Sequence, residues 1–316
     1  MSQCTPLAIV GPTASGKSSL GIALAQQLGG EVVNIDSMQL YRGMNIGTAK
    51  LSPAERGGIT HHLLDIWDVT HTASVAEYGK TARGVVESLR GSGTVPVLVG
   101  GSMMYVQSVV DQWEFPPTDP QVRARYMALQ EEIGPAGMHE RLRAVDPAAA
   151  EIIEENDPRR NVRALEVIEL TGKPYAASQP PKDNPPRWGT HLLGLAVDMD
   201  WLGPRIEQRT REMFDQGFIE EVRSLRERGL TAGSTAGRAI GYAQVLAHLR
   251  GEISAEQAYE DTVRATRRYV RRQRSWFKRD PRITWIDAAD NPLEQARAQL
   301  RRWGYSDGED PVVAKN

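Results

Sequence analysis

The segment Gly11-Pro12-Thr13-Ala14-Ser15-Gly16-Lys17-Ser18 sets a lysine and a hydroxyl directly behind a glycine-bounded loop. It fits the pattern G-x-x-x-x-G-K-[ST]. Its glycines let backbone N–H groups turn inward around phosphate oxygens. Lys17 adds a mobile cation, and the Ser18 hydroxyl can hold a magnesium ion. The chemistry implied is phosphate binding, which does not by itself mean a nucleotide. Enzymes that hydrolyse ATP or GTP usually carry a second carboxylate for metal and water. Here one candidate strand ends in Gly100-Gly101-Ser102 without an acid, whereas another ends at Asp36. Strand C-termini in an open parallel sheet face the ligand crevice, so Asp36 is expected beside the phosphate loop. On position alone, capping the next turn is its alternative role.

The elements that must position these groups alternate at first. Leu7 to Gly11 reads as a buried strand and Lys17 to Leu28 as a helix closed by Gly29-Gly30. Glu31 to Asp36 and Val95 to Gly100 read as strands, and Ser74 to Arg90 as a helix with Ser74 as N-cap. Strand and helix in alternation imply a parallel sheet flanked by helices. After Phe115-Pro116-Pro117 only helical signals remain as far as Thr171: Pro120 to Glu132, Met138 to Ala144, Pro147 to Glu154 and Pro158 to Leu170. Asp119, Asp146 and Asp157 each precede a proline, which is a helix-start signature. Ser178 to Arg187 is a proline-rich linker by composition, and His191 to Val197 resumes a strand. Thereafter the chain reads mostly as helix to Arg302, with a short strand at Ile283 to Ile286.

The fold class expected is therefore α/β: a P-loop NTPase-like parallel sheet flanked by helices, with an inserted all-helical domain. Residues 1–115 and 188–305 form the core and 116–187 the insertion; the polar tail 306–316 is expected to be disordered.

Composition bounds the rest. The chain has 316 residues, 25% charged and 40% apolar, as in an ordinary globular enzyme. No apolar run approaches the roughly 20 residues of a membrane-spanning helix, and the N-terminus lacks a signal-peptide pattern. A cytoplasmic, monomeric protein without a membrane partner is expected. Cys4 is the only cysteine, which excludes an intrachain disulfide and a cysteine metal cluster.

A net charge of −2 hides a local excess. At about 100° per residue, Arg264, Arg267, Arg268, Arg271, Arg272, Arg274, Lys278 and Arg279 fall within one half of a helix. Ala265, Tyr269, Val270, Trp276 and Phe277 fall on the other, with Gln273 among them. Like charges at i, i+4 repel, so so dense a stripe points to an anionic partner, nucleic acid before others. A solvated face with acidic neighbours is the plainer alternative. Arg159, Arg160 and Arg163 begin a helix, where its dipole disfavours cations; that makes them further ligand candidates.

These motifs together resemble one family. Asp36-Ser-Met-Gln-Leu-Tyr-Arg-Gly-Met-Asn-Ile-Gly-Thr-Ala-Lys50 resembles the D-S-x-Q-x-Y-[KR]-x-M-[DN]-I-G-T-A-K block of bacterial tRNA dimethylallyltransferases. So do the phosphate loop, His61-His-Leu-Leu-Asp65, Gly100-Gly101-Ser102 with Tyr105, Asn156-Asp-Pro-Arg-Arg160 with Arg163, Arg238-Ala-Ile-Gly-Tyr242, and Ala265-Thr-Arg-Arg268 leading to Trp276. Ser102 stands where the family commonly has threonine, and keeps the hydroxyl. Asn45 stands where it often has aspartate.

The resemblance implies transfer of a dimethylallyl group from dimethylallyl diphosphate to the exocyclic N6 amine of an adenosine. That adenosine lies 3′-adjacent to the anticodon in tRNAs reading codons that begin with U. The phosphate loop, Gly11 to Ser18, would hold the diphosphate rather than ATP, with Arg238. Asp36 would be general base, with Thr13, Lys17 and Arg238 the other catalytic groups and Ser18 the ligand of Mg²⁺. Asp36, Ser37, Met38, Gln39, Ser102, Arg123, Arg159, Arg160, Asn161, Val162, Arg163, Arg267, Arg268, Arg271 and Arg272 would line the tRNA path. The insertion would grip the anticodon stem-loop. Three other readings share features of the sequence: a P-loop kinase of a small metabolite, a related transferase acting on free AMP or ADP, and a non-catalytic RNA-binding nucleotide sensor.

Overall fold

Alternation along the first strand sets up two cores on opposite faces of one sheet. In the computed structural model, which describes residues 4–112, 115–175 and 184–305, β1 spans Leu7–Val10. Leu7 and Ile9 enter one core and Ala8 and Val10 the other. The remaining strands are β2 (Gly30–Asn34), β3 (His61–His62), β4 (Val95–Gly100), β5 (His191–Ala196) and β6 (Ile283–Asp287). Their order is β3-β2-β4-β1-β5-β6, with every pairing parallel. β1 is thus central, paired in register with β4 (Val10 opposite Gly100) and β5 (Val10 opposite Gly194).

Helices cover both faces. On one lie α1 (Lys17–Leu28), α7 (Met199–Asp215), α10 (Ala255–Phe277) and α11 (Pro292–Arg302). On the other lie α2 (Val75–Gly91) and α3 (Met103–Val110). A fully buried valine, leucine or isoleucine contributes about 1.5–3 kcal/mol, so these two layers hold the sheet. α2 starts where expected, with Ser74 Oγ accepting from the Glu77 N–H at 3.1 Å. A third core joins Tyr41, Met44 and Val69 to α8 (Phe218–Glu227) and α9 (Tyr242–Leu249).

β2 stops earlier than its sequence indicates. Its ladder ends at Asn34, and Asp36 lies in the following loop. The reason is Asn34, 4% exposed, whose side chain takes over the bonding. Its Oδ1 accepts from the Asp36 N–H, and its Nδ2 donates to the Asp36 and Leu63 carbonyls. β3 is a two-residue edge that hydrophobic patterning gives no sign of.

The chain divides into two compact units: one runs up to Val110 and resumes at Pro186, and the other is Asp111–Pro185. The second is all-helical among the described residues, with α4 (Pro120–Val145), α5 (Pro147–Ile152) and α6 (Pro158–Thr171) around Met138, Leu142, Ala149, Ile153, Val162 and Leu165. α4 is broken at Gly134, whose φ is 72°, ahead of Pro135. That break separates the two stretches read from sequence. Asp119, Asp146 and Asp157 each accept a backbone N–H as N-caps. The linker lies partly, and the tail wholly, outside the described residues. Among the described residues no helix is long and apolar enough to cross a membrane.

Candidate active site

The strand–loop–helix at β1–α1 takes the shape its glycines allow. Gly16 has φ 90° and caps α1 without a side-chain bond, so the helix presents bare N–H groups. Ala14 also adopts a left-handed φ of 65°, a strained position of the kind found at ligand-binding loops. Lys17 folds back over the loop and donates to the Pro12 carbonyl at 2.6 Å, and the Ser15 hydroxyl donates to the same oxygen.

This loop lines a cavity of about 770 Å³. Thr13 to Ser19 contribute to its wall, as do Asp36, Ser37, Met38, Gln39 and Ser102. Arg205, Arg209, Arg238 and Arg272 add positive charge. Leu51, Leu64, Ile206, Met213, Phe218, Ile240 and Tyr242 give an apolar remainder. Gly47 is required there: a Cβ would stand 2.2 Å from Phe218 and 2.6 Å from Tyr242.

Three charges act on one another inside the cavity. Burial, and then Arg209, lower Lys17 to about 7, against a raising contribution from Asp36. Arg209 itself is lowered by burial, which Asp36 and Glu212 partly offset. Its Nε is enclosed and has no hydrogen-bond partner among the described residues. A buried guanidinium N–H left unmatched is costly, and here it lies in the cavity that Thr13 to Ser19 line. Sequence reasoning passed over Arg209 because it lies in an ordinary amphipathic helix, far along the chain from the loop. Arg238, which was singled out, sits in a short 3-10 turn, Ala236–Arg238, and is exposed where it borders the cavity.

Asp36 caps a turn and borders the cavity. One of its oxygens accepts from the Met38 N–H at 2.9 Å. The adjoining loop is braced on each side. Ser102 Oγ accepts from the Ser37 N–H and donates to the Ser37 hydroxyl. Tyr269 shares a hydrogen bond with Ser102, and burial beside Asp36 pushes its phenol up to about 12. Lys50, 2% exposed, pairs with Asp65 at 2.6 Å and donates to the Tyr41 carbonyl. Glu221 accepts from the N–H groups of Asn45, Ile46 and Gly47 and from the Tyr242 hydroxyl.

The cationic helix α10 is less uniform than its sequence. Arg264 pairs with Asp261, and Arg267 with Glu207. Arg268, Arg271, Arg272, Arg274, Lys278 and Arg279 have no ion-pair partner among the described residues. The helix ends at Phe277, so Lys278 and Arg279 follow it rather than share its face. Gln273 is 1% exposed and faces inward, bonded to Thr13 and Gly101.

In the helical unit, four residues expected to meet RNA have other work. Asn161 is wholly buried, donating to the Glu154 and Asp157 carbonyls and bonded to His139. Val162 packs in the core. Arg123 and Arg163 both bind the carboxylate of Glu166, whose side chain is fully buried, and Arg163 also donates to the Pro116 and Pro117 carbonyls. Burial pushes Glu166 up, but bonds from Thr118, Arg123, Arg163 and the Asp119 N–H outweigh that and hold it below the usual carboxyl value. The reading of Asn161 and Val162 as contacts is thereby corrected: their side chains build the interior. Arg160 is exposed, 3.6 Å from Asp157, and Arg159 is exposed with no partner among the described residues.

The sequence of the IPP transferase family matches residues 39–280. The chain belongs to that family. It is 67% identical over 299 residues to the tRNA dimethylallyltransferase of Corynebacterium efficiens, covering 94% of this chain and 99% of that one. It is 64% identical over 292 residues to that of Corynebacterium glutamicum, covering 92% and 97%. Among solved structures, the full-length tRNA isopentenylpyrophosphate transferase of Bacillus halodurans superposes with a TM-score of 0.69 at 36% identity, covering 95% of each chain. A eukaryotic dimethylallyltransferase acting on tRNA superposes with a TM-score of 0.78 at 26% identity, covering 97% of this chain and 81% of that one.

Proposed function

We propose that this chain transfers a dimethylallyl group from dimethylallyl diphosphate to the N6 amine of the adenosine 3′-adjacent to the anticodon, in tRNAs reading codons that begin with U. The observation that carries this reading is one cavity holding a phosphate loop, an apolar wall and the Asp36 carboxylate. The relatives' shared activity on tRNA supports the substrate class.

The diphosphate lies on the N–H groups of the loop and the start of α1, with Lys17, Arg209 and Arg238 as cations. Negative charge grows on its oxygens as the allylic C1–O bond breaks, and donors fixed in place stabilise that charge where it develops. Thr13 donates toward the bridging oxygen. The adenine amine is a poor nucleophile, because its lone pair is shared with the ring. As the N6–C1 bond forms, the N6 proton passes to Asp36. The base must leave the anticodon-loop stack to reach the cavity.

Ser18 fits magnesium as a single hydroxyl ligand in the wall of the cavity. Among the described residues no cluster of three histidine, cysteine or acidic side chains could hold a metal alone; the Ser18 hydroxyl would hold the ion together with the bound diphosphate. The ion would neutralise leaving-group charge.

For RNA, Arg268, Arg271 and Arg272 supply unneutralised charge, and Ser37, Met38, Gln39 and Ser102 meet the target nucleotide. Arg159 and Arg160 serve the same ligand from the helical unit. A tRNA substrate supports a cytoplasmic site of action. A metabolite kinase fits less well: β4 ends in Gly100-Gly101-Ser102, with no carboxylate for a nucleotide's metal. The test is to incubate purified protein with tRNA, free adenine nucleotides and labelled dimethylallyl diphosphate. Label on tRNA without added ATP is expected. Label only on nucleotides, or a requirement for ATP, overturns the reading.

A further inference from the structure

Gln273 lies on the helix that carries the unpaired arginines, yet its amide is almost completely buried. Its Oε1 accepts from the Thr13 N–H at 3.0 Å, and its Nε2 donates to the Gly101 carbonyl at 2.9 Å. One side chain from α10 therefore ties the phosphate loop after β1 to the turn after β4. The space is made for it: a Cβ on Gly101 would stand 2.4 Å from Nε2. The Thr13 N–H is committed to this bond and not to phosphate, so the bond sets how Thr13 sits in the cavity wall. Arg272, the preceding residue, lines the same cavity.

We propose that Gln273 is a positioning residue for the reaction, holding Thr13 and the phosphate loop in register with the cationic helix. The proposal rests on the transfer reading for Thr13, but its effect on the loop does not. A loop without this strut samples more conformations, so a diphosphate binds more weakly and the Thr13 hydroxyl meets the leaving group less often. Small misplacements of this kind cost roughly 10–100-fold in rate.

The test compares Gln273→Leu, Gln273→Glu and Gly101→Ala in the full chain. Inorganic diphosphate affinity is measured by calorimetry, and kcat and KM for each substrate by labelled transfer. Gln273→Leu is expected to lower kcat about tenfold or more and to weaken diphosphate binding several-fold, leaving KM for tRNA within about twofold. Gly101→Ala, which crowds the amide from the other side, should reproduce that signature. Gln273→Glu, compared with the unsubstituted chain at each pH, should recover as pH falls, because a protonated carboxyl can again donate to the Gly101 carbonyl while accepting from Thr13. On a Thr13→Val background the kcat loss from Gln273→Leu should shrink, since two residues acting through one contact are non-additive.

A raised KM for tRNA with diphosphate affinity unchanged would make Gln273 a packing residue of α10 and overturn the proposal. So would equal kcat losses with and without Thr13. If the unsubstituted chain transfers no label to tRNA, the function reading falls; the diphosphate affinities still decide whether Gln273 orders the loop.

Discussion

Asn34 grips Asp36 at both ends of its main chain: Oδ1 accepts the Asp36 N–H and Nδ2 donates to the Asp36 carbonyl, each at 3.1 Å. The carboxylate is thus presented by a rigid turn and not by a flexible loop. Asp36→Asn keeps an Oδ1 for the Met38 N–H and so keeps the turn. It removes the capacity to take a proton, together with the negative charge that acts on Lys17 and Arg209. The expected outcome is a kcat lower by on the order of 10²–10⁴, with tRNA affinity unchanged by filter binding. Loss of tRNA affinity with kcat retained would count against the base role.

Lys17 sits near 7 because burial and Arg209 both disfavour its charge. A bound diphosphate raises that value, so binding takes up a proton between pH 7 and the higher bound value. The sign is then fixed: affinity is full below about 7 and falls as pH rises through the window, by at most about tenfold per unit for one proton. Lys17→Arg stays charged throughout and should lack this component. Calorimetry of inorganic diphosphate binding in buffers of different ionisation enthalpy reads the proton directly.

Three arginines on one helix should not behave alike. Arg267 already pairs with Glu207, whereas Arg268 and Arg271 have no ion-pair partner among the described residues. Replacing Arg268 and Arg271 together by alanine should reduce the salt dependence of tRNA binding by about 1.4–1.8 in log–log slope, from 0.7–0.9 per phosphate contact. Arg267→Ala should change it far less. Equal effects would mean that the Glu207 pairing opens when RNA binds.

Glu166 organises the helical unit through Arg123, Arg163 and Thr118. Glu166→Gln leaves two arginines facing a neutral amide. Because Arg123 is 43% exposed, the loss should be roughly 1–3 kcal/mol, below that of a fully buried pair. Hydrogen exchange should quicken in α4 and α6 and stay unchanged in β1 and β4. With its folded value depressed, Glu166 stabilises the unit fully above the unfolded value of about 4.3, and that stabilisation is lost as pH falls through the folded one.

What the sequence makes legible is local. The helix Lys17–Leu28 and the aspartate caps before Pro120, Pro147 and Pro158 follow from neighbouring residues, and the structure has them at those places. The end of β2 was misjudged because Asn34 replaces ladder bonds with side-chain bonds, which apolar alternation does not report. Arg209, Glu221 and Gln273 were passed over for another reason. Each acts on a segment distant in sequence, 260 residues away for Gln273 and Thr13. Charge on a helix face is legible, but the Glu207 that silences Arg267 comes from a different helix. The helical unit shows the same limit, since Arg123 and Arg163 read as surface cations until Glu166 is seen between them.

That 260-residue separation also bears on how the protein is made. During synthesis the motif Gly11 to Ser18 leaves the ribosome among the first segments, but β5 must emerge before β1 is flanked on both sides. The Thr13 N–H waits longer still, for α10. A nascent or truncated chain ending before Gln273 would carry every letter of the phosphate motif and lack the bond that disciplines it. On the proposal that Gln273 orders the loop, competence to hold a diphosphate arrives late in translation, when nearly all of the protein is available to fold around it.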